Sequence, residues 1–184
     1  MCKLFFDWSL FFQWSMELLQ ELELKELKEE YRWLVHHRIG ILFGDFFGEY
    51  EKALNHYNKA LEINEKIDNI KGVSYSLHQI GTIYQDKGDY DAALTHYQKA
   101  MDIKEKIGDI AGTASSMAQM GKVLSIKGQH NDALKLCLQS YLIFVKLESP
   151  NVTIVEGFIR NIRENLPEDQ FNAILKEFNL TSSF

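Results

Sequence analysis

The chain has 184 residues, nearly half of them apolar and a quarter charged, with Pro150 and Pro167 as its only prolines. That length supports one domain with a sizeable core and is short for two, and the composition excludes a disordered polymer. The net charge of −6 and the scattering of twenty Lys and Arg among acids leave no basic stripe for a phosphate backbone, so nucleic acid is not an expected partner.

In chain order the first feature is aromatic. The stretch FFDWSLFFQW puts Phe5, Phe6, Trp8, Phe11, Phe12 and Trp14 within ten residues. The opening fourteen residues are too few to span a bilayer, are interrupted by Asp7 and Gln13, and lead to no small-residue cleavage site. A cytoplasmic protein without a membrane span is the expectation, with residues 1–14 forming a short helix over the exposed face of the first helical hairpin. Docking on another protomer to make a homo-oligomer, lying in the chain's own groove, or touching a membrane surface are the alternatives. Cys2 and Cys137 form no disulfide framework. The segment SMELLQELELKELKEEYRWLVHH then reads as a charged amphipathic helix with Leu24, Leu27, Tyr31 and Leu34 as its stripe.

From Gly48 the chain begins to repeat itself. GEYEKALNHYNKA at residues 48–60 returns forty residues later as GDYDAALTHYQKA at residues 88–100, and Glu49–Asp68 set against Asp89–Gly108 gives eleven identities in twenty. A third copy starts at Gly128 and keeps Ala133, Leu134, Ile143 and Lys146 in step. Within the clearest copy, Leu77, Ile80, Gly81 and Tyr84 fall on one helical face, and Tyr90, Ala93, Leu94, Tyr97, Ala100 and Met101 define a second helix. Between them Gly88 supplies a left-handed stop and Asp89 a cap, so each unit is a helical hairpin. Gly81 and Ala93 remove bulk where the two helices cross, and tyrosines fill the space around them.

Those residues carry a resemblance. Leu77, Ile80-Gly81, Tyr84, Gly88, Tyr90, Ala93, Tyr97 and Ala100 are similar to the tetratricopeptide repeat (TPR) pattern of alternating bulky and small positions on a hairpin. The third copy matches with Met117, Met120-Gly121, Leu124, Gly128, His130, Ala133, Cys137 and Ser140; Leu124 and Cys137 replace aromatics and predict a looser hairpin. The first matches with His36, Ile39-Gly40, Phe43, Gly48, Tyr50, Ala53, Tyr57 and Ala60 once an extra residue is admitted near Phe46-Phe47. A forty-residue period resembles the longer-helix TPR subclass, the additional residues lying in EINEKIDNIKG and DIKEKIGDIAG.

The resemblance implies an all-α, right-handed α-solenoid: an aromatic segment and capping helix at residues 1–32, three repeats at 33–73, 74–113 and 114–149, and capping helices at 150–184. Terminal hairpins need a face that meets water. In NVTIVEGFIRNIRENL, Ile154, Phe158, Ile162 and Leu166 share one face, and PEDQFNAILKEF opens a last short helix.

No enzyme motif appears. Met120-Gly121-Lys122 lacks the other residues of a phosphate loop, and the six histidines are too dispersed for a metal site. Neither a catalytic role nor a cofactor is expected. The resemblance implies that the first helix of each hairpin lines a concave groove. The positions are Leu34, His37, Ile41 and Asp45; then Tyr75, His78, Thr82, Gln85 and Asp86; then Ser115, Ala118, Lys122, Ser125 and Ile126. Tyr75 and His78 offer contact area with a hydrogen bond. This groove lacks the lysines and asparagines with which TPR proteins clamp a chaperone C-terminus. The expected function is a non-enzymatic module that holds a peptide or helix of a partner protein there. A regulatory effector of a signalling protein, or a scaffold joined through the aromatic N-terminus, is the alternative.

Overall fold

The computed structural model describes residues 28–181. Among them the chain is all helix: α1 (Glu29–Ile41), α2 (Tyr50–Lys66), α3 (Ile70–Asp86), α4 (Tyr90–Lys106), α5 (Ile110–Ile126), α6 (His130–Lys146), α7 (Val152–Arg163) and α8 (Glu168–Glu177), with a π-helical turn, Leu42–Phe46, continuing α1. Through α7 each helix packs on the next; α7 also lies against α5, and α8 against α6. The result is three stacked hairpins, α1/α2, α3/α4 and α5/α6, closed at one end by α7 and α8. Equivalent helices begin forty residues apart, at Tyr50, Tyr90 and His130 and at Ile70 and Ile110.

Local chemistry sets the helix ends. Gly48, Gly88 and Gly128 turn each hairpin with φ of 64°, 79° and 78°, the left-handed region that glycine enters without strain. Asn69, Asp89 and Asp109 cap the helices that follow, accepting from the amides of Gly72, Ala92 and Gly112 at 3.1, 3.2 and 2.9 Å. The extra residue of the first repeat is absorbed by the π turn, a common way for a helix to accommodate an insertion.

Within each hairpin the small residues do what their spacing predicts. A Cβ on Gly81 would lie 2.8 Å from the Tyr97 ring, and one on Gly40 would lie 2.7 Å from the Tyr57 ring. Those tyrosines are buried, as are Ala53, Ala60, Ala93 and Ala100. The third hairpin is not looser. A Cβ on Gly121 would come within 2.5 Å of Cys137 Sγ and 3.0 Å of the Ala133 carbonyl, so the backbones have closed in as the side chain shrank. Histidines on the second helix add a repeated ring stack, His56 on Phe43 at 5.6 Å and His96 on Tyr84 at 5.4 Å.

Two sequence expectations need correction. The cap helix α7 buries Val155, Ile159 and Ile162, whereas Ile154 is exposed and Phe158 and Leu166 are only half-buried. Contact with both α5 and α6 rotates its buried stripe away from the face chosen by periodicity alone. On α1, Tyr31 and Leu34 are exposed and the buried residues are Ile39 and Gly40, followed by Phe43 and Gly44 in the π turn. Leu24, Leu27 and the aromatic residues 1–14 lie outside the described residues.

The hairpins meet at polar junctions. Between the first and second, buried Asn64 accepts from Asn69 Nδ2 at 2.8 Å and donates to Ser76 Oγ at 3.4 Å. Between the second and third, the same positions hold Lys104, Asp109 and Ser116. Lys104 is buried and its ammonium donates to Ser116 Oγ at 3.0 Å.

Candidate functional site

The side chains expected to line a groove lie on α1 with its π turn, on α3 and on α5, one row per hairpin. In the first row Leu34 and Asp45 are exposed, Ile41 is half-buried against the first hairpin's core, and His37 lies edge-on to the Tyr57 ring at 5.5 Å.

The second row divides between surface and interior. Tyr75 is 38% exposed, with the ammonium groups of Lys71 and Lys104 at 5.8 and 6.0 Å from its ring centre. Two cations thus flank an exposed aromatic, a favourable arrangement for each. Asp86 is also exposed. The three residues between them turn inward. His78 sits 5.1 Å from the Tyr97 ring with Nδ1 3.3 Å from Ser116 Oγ. Thr82 and buried Gln85 both accept from the Tyr97 hydroxyl, at 3.1 and 3.2 Å. His78, Thr82 and Gln85 therefore pair with interior polar groups, Ser116 and the Tyr97 hydroxyl, and Tyr75 and Asp86 are the exposed side chains of this row.

In the third row Ala118 is buried in the core and Ser115 is half-buried. Lys122 lies with its ammonium 5.7 Å from the centre of the Phe158 ring on α7. Lys122, Ser125 and Ile126 form one wall of a cleft of about 650 Å³ between α5 and α7, and Gly157, Phe158, Asn161 and Asn165 form much of the other. The α7 residues were not among the sequence-predicted groove positions. Phe158 could have been found as a bulky residue of the cap helix, had the cap been read as the groove's end wall.

Electrostatics link the rows. The Asp86 carboxyl is raised from its ordinary value by burial, lowered in part by Lys122 and raised by Asp45, so the three side chains act on one another across adjacent hairpins. Burial, aided by the charge of Lys104, pushes His78 down to about 3. Burial likewise lowers Lys104 to about 8, with Asp109 opposing, and raises the Tyr97 hydroxyl to about 12, with its Thr82 hydrogen bond opposing. These interior groups are held in neutral or weakened charge states by their surroundings.

Among the described residues no three His, Cys, Asp or Glu side chains converge as metal ligands. His36 and His56 bring their Nδ1 atoms to 3.1 Å, so one imidazole donates to the other. No helix among the described residues is long and apolar enough to cross a membrane.

Comparison with known proteins follows the same geometry. The family profile described as Tetratricopeptide repeat matches residues 35–67 and 72–143, together more than half of the chain. No curated protein sequence matches. Among solved structures, the apo form of RapI superposes with a TM-score of 0.76 over 90% of this chain at 16% identity, and the chain spans 60% of that protein's length. A putative kinesin light chain from Podospora anserina, with nearly identical TPR-like repeats, gives 0.62 over 92% of this chain and 89% of its own at 19% identity. A signal transduction ATPase from Pyrococcus horikoshii, bearing a tetratricopeptide repeat sensor, gives 0.60 over 91% of this chain and 32% of its own at 16% identity. Likeness at these identities is a likeness of fold. Together with the two profile matches and the glycine–tyrosine crossings of the hairpins, it establishes that the chain belongs to the tetratricopeptide repeat family.

Proposed function

We propose that this chain, a protein-interaction module of the TPR family, works as a scaffold without catalysis of its own. We propose that its concave face holds a peptide or a single helix of a partner protein. The observation that carries this reading is the run of accessible groups from Tyr75 through Asp86 to Lys122, ending in the open cleft beneath Phe158. An aromatic anchor, a carboxylate and an ammonium spaced over two hairpins suit a segment with alternating apolar and charged positions. Because His78, Thr82 and Gln85 are already engaged inside the second hairpin, the face is preorganised, and little side-chain freedom is lost on binding.

Peptides selected from a display library on the full chain provide the test. Tyr75→Ala combined with Lys122→Ala is expected to weaken a selected peptide by about a hundredfold, as loss of an aromatic anchor and a desolvated charge does at other interfaces. Unchanged affinity in a folded double variant would overturn the groove. A second reading takes the module as the sensing part of a signalling protein, supported by the sensor repeats of the P. horikoshii ATPase. It predicts the same groove and no turnover on phosphorylated signalling domains.

A further inference from the structure

The cleft between α5 and α7 does not end at Ser125. It adjoins a second hollow of about 380 Å³, and Gly128, His130 and Asn165 line both. The trough so formed passes the turn between α5 and α6 and the junction between α7 and α8. Five side-chain amides line it: Gln129 and Asn131 where α6 begins, Asn161 on α7, Asn165 in the turn after it, and Gln170 on α8. All five residues are exposed. Four of the amides make no hydrogen bond among the described residues, and Asn165 uses a single N–H, donated to the Asn161 carbonyl at 2.9 Å. Lys122 in the first hollow and Asp132 in the second are the only Lys, Arg, Asp or Glu among the lining residues.

An exposed amide needs no explanation by itself. Its place in the repeat does. Glu49-Tyr50-Glu51 and Asp89-Tyr90-Asp91 return in the third copy as Gln129-His130-Asn131, so both acids have become amides at the turn that lines the trough. The exchange gives up local stability. Asp89 caps α4 by accepting from the Ala92 amide at 3.2 Å, whereas Gln129 makes no such bond at the start of α6. Glu51 and Asp91 hold Lys87 and Lys127 of the following hairpin, whereas Asn131 has no ion pair. With no hairpin following, that ion pair is not needed, but the cap still would be.

Amide chemistry selects the occupant. The side chain of Asn or Gln both donates and accepts, as a peptide group does. A helix satisfies its main-chain groups internally and shows only side chains, so walls rich in amides and nearly empty of charge hold little for it. An extended chain projects its N–H and C=O groups to either side, unpaired. We propose that the partner segment is extended where it leaves the Lys122–Phe158 cleft, and that Gln129 and Asn161 bind its main chain as it passes along the trough. This rests on the reading of the groove as a peptide site, and it decides between the peptide and the helix left open there.

Calorimetric titration of the full chain with a display-selected peptide and its singly N-methylated analogues tests this. Gln129→Ala combined with Asn161→Ala should weaken the peptide about thirtyfold, the loss of two neutral hydrogen bonds. Both residues are exposed, so the double variant folds as the wild type does. N-methylation of one or two of the peptide bonds should cost about tenfold in the wild type and almost nothing in the double variant, because the acceptor for that N–H is already gone. A peptide weakened by Tyr75→Ala but indifferent to the double variant would overturn the trough and leave the groove intact. An N-methyl penalty equal in both proteins, the mark of a helical ligand, would do the same. A peptide sensitive to the two amides but indifferent to Tyr75→Ala with Lys122→Ala would support the trough and overturn the groove.

Discussion

The first and second hairpin junctions share a backbone and differ in chemistry. Asn64 and Asn69 join by amide hydrogen bonds and reach Ser76; forty residues on, Lys104 and Asp109 occupy those positions and Lys104 reaches Ser116. The amide junction is neutral, and each buried polar group in it has a partner. The charged junction buries an ammonium against a hydroxyl, with the Asp109 carboxylate near enough to oppose the loss of its charge. The lesson is that one repeat geometry tolerates two solutions, and that the charged one holds stability in reserve.

The largest difference should appear on acidification. Ser116 is shared with His78, whereas Ser76 has no histidine partner among the described hydrogen bonds. Folded His78 titrates near 3 and an unfolded histidine near 6.5. As pH falls below 6.5 the unfolded chain binds a proton that the folded chain resists, so stability present above that pH is progressively lost. Between pH 6.5 and 4.5 His78 alone accounts for a loss of about 2–3 kcal/mol. His36, His37, His56 and His96, all lowered chiefly by burial, act in the same direction. Denaturant titrations at several pH values should show this slope, and His78→Gln should flatten it.

Next in size, equivalent substitutions should have opposite signs. Lys104→Met replaces a buried ammonium with an apolar chain of similar length and is expected to stabilise by about 1–3 kcal/mol. Asn64→Leu orphans Asn69 Nδ2 and Ser76 Oγ and is expected to destabilise by about 1–3 kcal/mol. The wild type should also gain stability between pH 8 and 10, where unfolded Lys104 keeps a proton that the folded form releases, and Lys104→Met should gain less. Chemical denaturation of both variants, read with the wild type, decides whether the junctions differ as argued.

The smallest effect lies in the turns. Asp68 holds φ of 54° where the next turn has Gly108 at 73°. Asp68→Gly should therefore stabilise by about 0.5–1 kcal/mol, and Gly108→Asp should cost a similar amount. Melting temperatures of the two variants, moving in opposite directions, check this.

Much of the fold was legible because the glycine and tyrosine positions encode distances. Gly81 against Tyr97 fixes how closely two helices cross, and its recurrence at Gly40 with Tyr57 marks the next hairpin. The insertion near Phe46 was visible as a slip in register, though not as a π turn. The cap face was misassigned because its burial depends on two neighbouring helices rather than one. The groove was legible as a row of positions but not as a set of accessible atoms. Nothing in the periodicity reveals that the Tyr97 hydroxyl recruits Thr82 and Gln85, or that Lys104, in a run of charges, points into a junction. Comparing Lys104 with Asn64 was the available signal, since a position that is buried in one repeat is a candidate for burial in the next.

The central claim is that a partner segment lies along the inner face. Backbone chemical-shift mapping with a selected peptide tests it most directly. The account predicts that the largest changes fall at Tyr75, Asp86, Lys122 and Ser125, with the turn residues Ile107 and Ile110 unmoved. Changes centred on the outer helices α2 and α4, with the Tyr75 to Lys122 row silent, would contradict it.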